Sequence, residues 1–402
     1  MTTETLLERI TDYASRPNPF PLYEELREAG GVARQTDGSY LVGTYHEINA
    51  LLHNPRISSD RRNLAVPYGG AVEEELSTSF IRFDDPEHHR LRSIAMRPFG
   101  PPHSSGRVVG MRDEIAEITE ELIDAFGDRR QIDIVDDFAY PLPVTVICRL
   151  LGVPPEDEPR FHQWSQSIIN GVDVRVGEDP TERVRAGEQA RKAMGSYLLD
   201  LAEQRRGHPA DDMLSAFVNE KDPAARLTPE ELMGTAAILL VAGHETTVNL
   251  ITNGVLTLLR HPEQLERLRR EPDLMPKAVE ELLRYESPVQ MLPQRTPLAD
   301  VEVAGTTIPK GARLLLVLAS GNRDPQRFRD PDRFDPAREE NQHFGFGGGV
   351  HICYGAALAR LEAQIALGAL VRRLGSPRLI EDPPPYRNSA VLRGPRHLPV
   401  EL

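Results

Sequence analysis

The sequence predicts a mainly α-helical fold with small β-sheets, and three observations support this prediction. Residues 228–260 carry a continuous helix signal of about 32 residues, which at about 1.5 Å per residue would span roughly 48 Å. Helical apolar patterns recur along most of the rest of the chain. Strand-like alternation is confined to short stretches beside turn residues such as Asp37-Gly38.

Length and composition suggest one domain covering residues 1–402. No Gly/Ser-rich linker, repeat or low-complexity tract divides the 402 residues. The net charge of -14 argues against a nucleic-acid partner. The chain starts MTTETLLERITDY, without the basic start and apolar core of a signal peptide. No apolar run approaches the roughly 18 residues of a membrane span. We therefore expect a cytoplasmic protein, a monomer without a membrane anchor.

Periodicity and breaking residues divide the chain into elements. Apolar spacing predicts helices over residues 6–14, 22–29, 45–53, 107–128, 144–151, 160–206 (two helices, broken near 171–180), 228–260, 278–288 and 356–374. Alternation predicts strands within residues 32–44, within 301–319 around Pro309-Lys310-Gly311, and as a final hairpin within 388–400. Residues 57–79 are irregular.

A helix beginning near Glu87 carries two nitrogen donors on one face. Asp85 can cap this helix, and Pro86 suits its first position. His88 and Arg92 are four residues apart, so they share a face and could bind a carboxylate together. Such pairs are more often surface decoration, so the spacing alone leaves both interpretations open.

The long helix over residues 228–260 has a polar interruption in its apolar middle. It begins with the capping box Thr228-Pro229-Glu230-Glu231. Its middle reads Ala242-Gly243-His244-Glu245-Thr246. A glycine inside a helix costs about 1 kcal/mol relative to alanine, which the close approach of a flat ligand would offset. The alternative is a helix with a polar solvent stripe.

Thr246 and Glu245 form an adjacent alcohol and acid within this interruption. The Thr246 hydroxyl can donate a hydrogen bond to the carbonyl of Ala242 and bend the helix, which would open a notch for oxygen and water. An adjacent acid and alcohol can relay protons.

Residues 344–362 surround one of the two cysteines, Cys353. Four glycines precede it, and glycines permit φ > 0 and a close approach of the backbone to a flat ligand. A cysteine before a helix has its thiolate favoured by the helix N-terminus. A thiolate in such a loop is what a haem iron needs from an axial ligand. A lone cysteine is more often a small core residue, which is our interpretation of Cys148.

The spacing around Cys353 resembles the haem-thiolate signature of the cytochrome P450 family. The pattern Phe346-Gly347-x-Gly349-x-His351-x-Cys353-x-Gly355 fixes six positions in ten residues. Three more motifs resemble those of this family and occur in its order: His88-x-x-x-Arg92, Ala242-Gly243-x-Glu245-Thr246 and Glu281-x-x-Arg284. The chain has Glu245 where many members have Asp, which leaves the role of the acid unchanged. The sequence is identified as a P450 of the soluble bacterial, actinobacterial type.

The resemblance implies a triangular fold with haem b between the long helix and the helix after Cys353. The Cys353 thiolate would be the metal ligand, and arginines and histidines would neutralise the haem carboxylates. The implied haem contacts are His88, Arg92, Ala242, Gly243, Arg295, Phe346, Gly347, His351, Cys353 and Gly355. Glu245 and Thr246 would be the catalytic proton relay. Glu281, Arg284 and Arg333 would form a buried structural charge network.

The activity that the resemblance implies is monooxygenation, in which one oxygen atom of O2 enters a C–H bond. Electrons would come from NAD(P)H through a ferredoxin and a ferredoxin reductase, because the chain has no flavin or nicotinamide domain. The ferredoxin would dock on the Cys353 side, where Arg92, Arg97 and Arg360 are candidate contacts.

The substrate implied is a small apolar molecule, polycyclic or macrocyclic, such as a steroid-like or macrolide-like compound of secondary metabolism. The implied pocket residues are Ile168, Ile169, Val289, Gln290, Met291, Val391 and Leu392. Residues 57–79 are either a mobile loop over this pocket, as in the family, or a solvated connection.

Two other functions are compatible with a haem-thiolate site. One is a peroxygenase that uses peroxide directly, which usually lacks the acid–alcohol pair. The other is a haem-based gas or ligand sensor without catalysis, although nothing in the sequence resembles an output domain. Product formation driven by NADH with ferredoxin and reductase would separate the three.

Overall fold

The protein is described here from a computed structural model, which describes residues 5–66, 79–99 and 106–402. Within these ranges most regular structure is helical, as the sequence predicts. The helices are α1 Leu6–Thr11, α2 Phe20–Glu28, α3 Tyr45–Leu52, α4 Glu87–Phe99, α5 Gly106–Gly110, α6 Arg112–Asp124, α7 Pro141–Leu151, α8 Glu158–Val172, α9 Thr181–Gln204, α10 Met213–Val218, α11 Pro229–Arg260, α12 Pro262–Arg270, α13 Met275–Tyr285, α14 Leu318–Gly321 and α15 Ala356–Arg373. Residues 67–78 of the predicted irregular segment lie outside the described ranges.

Within the described ranges, short strands form three small sheets. The strands are β1 Val32–Arg34, β2 Tyr40–Val42, β3 Ile57–Ser58, β4 Gln131–Asp133, β5 Leu292–Pro297, β6 Val301–Val303, β7 Thr306–Ile308, β8 Leu314–Leu316, β9 Arg378–Leu379 and β10 Pro399–Glu401. The largest sheet has the order β1-β2-β8-β5-β3, and the others have the orders β4-β10-β9 and β6-β7. Strands β1 and β2 form the hairpin predicted at Asp37-Gly38, with Val32 opposite Val42.

The long helix α11 is the central element of the described chain. The Thr228 hydroxyl accepts from the backbone N–H of Glu231, and the Glu231 carboxylate accepts from the N–H of Thr228, so the predicted capping box is present. The helix has 32 residues and is buried on most of its faces. It packs against α7, α9, α13 and α15 within one core cluster that draws residues from Phe99 to Val400.

Helices α8 and α9 pack tightly on one another beside α11. At their crossing, a Cβ added to Gly171 would lie 3.2 Å from the carbonyl oxygen of Arg183 and 3.3 Å from Cα of Gly187. The two backbones therefore meet at this crossing without side chains between them.

Three predicted elements differ from the structure. The helix predicted over residues 107–128 is two helices, α5 and α6, separated at Met111. Residues 301–316 contain three strands, with the hairpin turn at Ala304-Gly305 because both residues adopt positive φ, instead of two strands around residues 309–311. The hairpin predicted within residues 388–400 lies a few residues earlier: Tyr386 forms an antiparallel bridge with Pro395, and the N–H groups of Arg387 and Arg396 donate to the carbonyls of Gly394 and Pro385. The end of the predicted hairpin, β10, pairs instead with β4 and β9.

Membrane spanning was searched over the described residues. None of their helices combines the length and the apolar character that a bilayer crossing requires.

Candidate active site

A cavity of about 250 Å³ lies between α11 and the loop before α15. Its walls are mostly apolar, with side chains such as Ile147, Leu250 and Leu358. Two groups of predicted site residues meet in it. Ala242, Gly243 and Thr246 come from α11, and Phe346, Gly347, His351, Cys353 and Gly355 come from the loop.

Backbone hydrogen bonds shape the loop that carries Cys353. The N–H of Cys353 donates to the carbonyl of Phe346 at 2.9 Å, and the N–H of Gly347 donates to that of Phe344 at 2.8 Å. The N–H of Phe344 donates to Asn322 Oδ1 at 2.7 Å. Backbone hydrogen bonds within the loop and the side chain of Asn322 therefore hold the loop, and the Cys353 side chain remains accessible from the cavity.

Enclosure by the protein and the charges around the cavity act in opposite directions on the pKa of the Cys353 thiol. Burial raises the pKa of the thiol, and the Gly355 N–H and the charges of Arg92 and Arg360 only partly offset this. The N–H of Gly355, at the start of α15, favours the thiolate as the sequence predicts, but burial outweighs it. A coordinated metal cation would supply the missing stabilisation, since a coordinating thiol loses its proton.

Gly349 fixes how closely this loop approaches α3. Its φ is +65°, and an added Cβ would lie 2.0 Å from the carbonyl oxygen of Leu52. Only glycine combines this backbone conformation with such a contact.

We expect Gly349→Ala to displace the Cys353 loop and to lower both the melting temperature and the haem content of purified protein. The left-handed conformation alone costs about 1–2 kcal/mol for a residue with a Cβ, and the clash with Leu52 adds to it. Gly38→Ala is the matched control, because Gly38 has φ +82° but an added Cβ there meets nothing within 4 Å. Equal losses in the two variants would contradict the steric argument.

Four nitrogen-rich side chains gather at one end of the cavity. Arg92 and Arg295 line it together with His351, and the ring of His88 lies 4.1 Å from the ring of His351. Arg92 donates to the Ile352 carbonyl at 2.7 Å, and Arg295 donates to the carbonyl of Gln294 at 2.8 Å. Among the described residues, no carboxylate forms a hydrogen bond with either guanidinium.

The ionisation of this cluster indicates what it would bind. Burial and the charges of Arg295, His88 and Arg92 lower the pKa of His351 to about 3. Burial lowers the pKa of Arg295 to about 10. Buried nitrogens His88 Nε2 and His351 Nδ1 have no hydrogen-bond partner among the described residues. A ligand with carboxylate groups would satisfy these atoms, so the donor set fits the propionates of a haem.

Helix α11 presents the predicted alcohol to the cavity. The Thr246 hydroxyl donates to the carbonyl of Ala242 at 2.8 Å, as predicted, and Thr247 donates to that of Gly243 at 3.2 Å. An added Cβ on Gly243 would lie 2.9 Å from Cδ1 of Ile147. Close packing on α7 therefore explains the glycine, in addition to the approach of a flat ligand that the sequence suggested.

Glu245 does not line this cavity. Its carboxylate is buried and lies at a second cleft, where Gln166 Nε2 donates to Oε1 at 3.0 Å. Arg387 Nη1 lies 3.3 Å from Oε2. Burial raises the pKa of Glu245, but interactions with His244, Arg387 and His162 together lower it more strongly. The resulting pKa is about 2.

Glu281 and Arg284 form the buried ion pair that the sequence predicts. Both side chains are 0% exposed, and Arg284 Nε and Nη2 donate to the two carboxylate oxygens at 2.8 Å each. The third member is Arg338, whose Nε donates to Glu281 Oε1 and Oε2 at 3.1 Å. Arg333 instead has an exposed side chain and contributes its carbonyl, which accepts from Arg284 Nη2 at 3.3 Å.

The predicted pocket residues are dispersed. Val289 lines the cavity, whereas Ile169 and Leu392 line the cleft at Glu245. The remaining members are buried in the core or held elsewhere: Ile168, Met291, Val391 and Gln290. Gln290 is tied away from the cavity because its amide accepts from the Tyr23 hydroxyl and donates to the Ser287 carbonyl.

The cavity also contains residues that the sequence argument missed. The carboxyl of Glu362 lines the cavity while buried, and burial raises its pKa well above the ordinary value. The Tyr354 hydroxyl donates to the Ala95 carbonyl at 2.6 Å and so joins the Cys353 loop to α4. The sequence could have indicated Glu362, because it is an acidic residue on an otherwise apolar part of the helix after Cys353.

Comparison with known proteins supports the family that this geometry suggests. The family model for cytochrome P450 matches residues 39–398. The chain belongs to the cytochrome P450 family. It is 41% identical over 400 residues to the cytochrome P450 monooxygenase PikC of Streptomyces venezuelae, with 97% of this chain and 92% of that protein covered.

The alignments with two further relatives extend over almost the whole length of this P450. The 6-deoxyerythronolide B hydroxylase of Saccharopolyspora erythraea is 39% identical over 399 residues, covering 94% of this chain and 95% of that protein. A crystal structure of a P450 from Bacillus megaterium in complex with testosterone has a TM-score of 0.89 at 34% identity, covering 97% of this chain and 99% of that chain. The predicted family and mainly α fold are confirmed, and the chain is a P450 monooxygenase.

Proposed function

We propose that this P450 hydroxylates an apolar polycyclic or macrocyclic substrate of secondary metabolism, working as one domain with a haem b held by Cys353. The observation that carries the proposal is that Cys353 and Thr246 open into the same largely apolar cavity. Apolar walls favour an apolar substrate and exclude water from the reaction. The names of two relatives, one a hydroxylase of 6-deoxyerythronolide B and one crystallised with testosterone, support this substrate class.

The chemistry of each cavity residue indicates which part of a haem it would bind. Cys353 would hold the iron through its sulfur, and Arg92, Arg295, His88 and His351 would hold the carboxylates. When bound, the haem supplies the chemistry by which O2, two electrons and two protons convert a C–H bond into C–OH and release one water. The protein must orient the substrate, exclude solvent and deliver the protons.

Thr246 is the group best placed to deliver protons into the cavity. Its hydroxyl donates to the Ala242 carbonyl. The lone pairs of the same oxygen remain free to accept a hydrogen bond from a proton donor. Glu245, its neighbour on α11, is the acid that would resupply it after turning from the second cleft.

We expect Thr246→Ala to keep its haem but to divert most reducing equivalents into hydrogen peroxide. A positioned proton donor contributes typically about 10²- to 10⁴-fold, so product formed per NADH should fall steeply. The measurement is product, peroxide and NADH consumption in one reaction. Thr252→Ala is the matched control, because Thr252 donates to the Val248 carbonyl on the same helix but lies outside the cavity. Unchanged coupling in Thr246→Ala would exclude the proton-delivery role.

The electron donor that we propose is a ferredoxin with its reductase, acting in the cytoplasm on a monomeric P450. The loop of Cys353 exposes Val350, and Arg97 is an exposed cation near Glu220 and Asp222. Arg360 is partly engaged, because it pairs with Glu280 and lies over the ring of Phe346. Arg97 also pairs with carboxylates, but its side chain is 51% exposed against 39% for Arg360, so it is the more accessible of these two arginines to an acidic ferredoxin.

Turnover assays test the proposal and separate it from its rivals. Purified protein is given a steroid and macrolide panel with NADH, ferredoxin and reductase, with hydrogen peroxide alone, or with neither. Product only in the NADH arm supports the monooxygenase. Product in the peroxide arm alone would replace it with a peroxygenase, and binding without product in either arm would favour a sensor.

A further inference from the structure

Glu280 and Glu281 are adjacent acids on α13 that face different parts of the protein. Glu281 is fully buried and belongs to the network with Arg284. Glu280 is partly exposed and accepts two hydrogen bonds from Arg360 of α15, from Nε at 2.6 Å and from Nη2 at 2.9 Å. Two such bonds hold the planar guanidinium in one orientation. Glu280 therefore determines where the charge of Arg360 lies.

His343 links Glu280 to the segment that leads into the Cys353 loop. The backbone N–H of Gly345 donates to His343 Nδ1 at 3.0 Å, so in the neutral ring the proton is on Nε2. Nε2 lies 3.2 Å from Glu280 Oε2 and can donate to it. The imidazole is buried, which limits competition from water for this bond. Glu280 thus joins α15 to the start of the loop.

The guanidinium of Arg360 lies against the loop that carries Cys353. Its central carbon is 4.5 Å from the centre of the Phe346 ring, a cation–π contact. The carbonyl of Phe346 accepts from the N–H of Cys353 at 2.9 Å, so Arg360 and Cys353 contact the same residue. Burial raises the pKa of the Cys353 thiol, and the charge of Arg360 is among the influences that lower it. Glu280 therefore holds a positive charge close to the predicted metal ligand.

Both members of the Glu280–Arg360 pair are charged near neutral pH. Burial raises the pKa of Glu280, but hydrogen bonds from Arg360 and His343 lower it more strongly, to about 2. The hydrogen bonds to Glu280 in turn raise the pKa of Arg360. Arg360 therefore remains a cation beside the loop.

We propose that Glu280 is a positioning residue that holds Arg360 beside the Cys353 loop, and that this charge raises the reduction potential of the haem. The inference rests on the proposed function, in which Cys353 ligates the iron. One electron, from the ferredoxin or from dithionite in vitro, converts ferric into ferrous haem, and no bond or proton of these side chains changes. The ferrous form carries one more negative charge, so a nearby cation stabilises it more than the ferric form.

A redox titration of the purified holoenzyme with dithionite and mediators tests the proposal without any ferredoxin. Arg360→Gln removes the charge and should shift the ferric–ferrous equilibrium towards the ferric form by about tenfold, a fall of about 59 mV in midpoint potential. Arg372→Gln is the matched control, because Arg372 is on the same helix but pairs with Glu120 at an exposed position. The control should keep the wild-type midpoint. An unchanged midpoint in Arg360→Gln would overturn the proposal.

Glu280→Gln separates the positioning role of Glu280 from the effect of its own charge. If Glu280 positions Arg360, this variant lets the guanidinium leave the Phe346 ring, so the midpoint should fall although a negative charge has been removed. In the Arg360→Gln background the same change only removes an anion, so the midpoint should stay or rise. The difference between the two backgrounds measures the coupling of the two side chains. A rise in both backgrounds would contradict the positioning role.

Arg360→Lys gives a second test if Arg360→Gln binds haem poorly. Lysine keeps the charge but not the two parallel hydrogen bonds, so the midpoint should fall less than the tenfold shift expected for glutamine. A wild-type midpoint in Arg360→Lys would show that the orientation set by Glu280 does not matter.

The ferrous–CO spectrum of each variant distinguishes failure of this inference from failure of the proposed function. A thiolate band in every variant with unchanged midpoints would leave Cys353 as the ligand and exclude Arg360 from setting the potential. Absence of the thiolate band from the wild-type protein would overturn the proposed function, and this inference with it.

Discussion

Replacing Cys353 with alanine is expected to abolish the red-shifted Soret band that carbon monoxide gives with a reduced thiolate-ligated haem. The effect should be complete, because the other cysteine cannot take over. Cys148 is buried in the main core cluster, and burial raises its pKa to about 12. No other described residue brings a thiol to the cavity. The measurement is the ferrous–CO difference spectrum of purified protein, with haem quantified separately.

The control for this variant is Cys148→Ala, which removes the second thiol and should retain the thiolate spectrum. Core packing predicts only a modest loss of stability for Cys148→Ala. A band typical of histidine-ligated haem in Cys353→Ala would point to His351, an imidazole of the same loop that lines the cavity. Survival of the thiolate band in Cys353→Ala would contradict the assignment of the metal ligand.

Local signals explain what the sequence could predict. The start of α11 follows from Thr228 and Glu231, which satisfy one another within a single turn. The hydrogen bond from Thr246 to Ala242 also lies within one helical turn. Such features depend on residues close in the chain, so spacing is enough to predict them.

Features that depend on contacts between segments far apart in the chain could not be predicted from the sequence. The direction of Glu245 is set by Gln166 and Arg387, which are far from it in the chain. Gln290 was expected in the substrate pocket, but the Tyr23 hydroxyl holds its amide in the core. In both cases the residue type is informative, while the partner that fixes its direction comes from another element.

The charge network behind the Cys353 loop shows the same limit. Family spacing suggested Arg333 as the third member, yet the backbone turns so that its carbonyl faces Arg284 and its side chain faces solvent. Arg338 occupies the place next to Glu281 and also donates to the carbonyls of Arg329, Asp330 and Arg333. Four residues of irregular chain lie between the two arginines, and no periodicity decides between them.

Replacing Arg284 with leucine is expected to destabilise the fold by about 3–5 kcal/mol, the usual cost of leaving one charge of a buried pair without its partner. Glu281 would keep its other donors, Arg338, Asn341 and the N–H of Asp335, but lose both short bonds from Arg284. The carbonyls of Asn322 and Pro331 would lose their donor as well. Since a domain is stable by only about 5–15 kcal/mol, we expect little soluble, haem-loaded protein. The measurements are yield, haem content and urea unfolding.

Because Arg284→Leu is expected to fold poorly, Arg338→Ala and Arg333→Ala give the decisive comparison. Arg338→Ala removes charge-assisted bonds to a buried carboxylate and should lower the free energy of unfolding by about 1.5–3 kcal/mol. Arg333→Ala keeps the backbone carbonyl that Arg284 uses, so its effect should stay within about 0.5 kcal/mol, as for most exposed positions. The reverse order of the two losses would mean that Arg333 belongs to the network, as family spacing suggested, and that its side chain turns inward in solution.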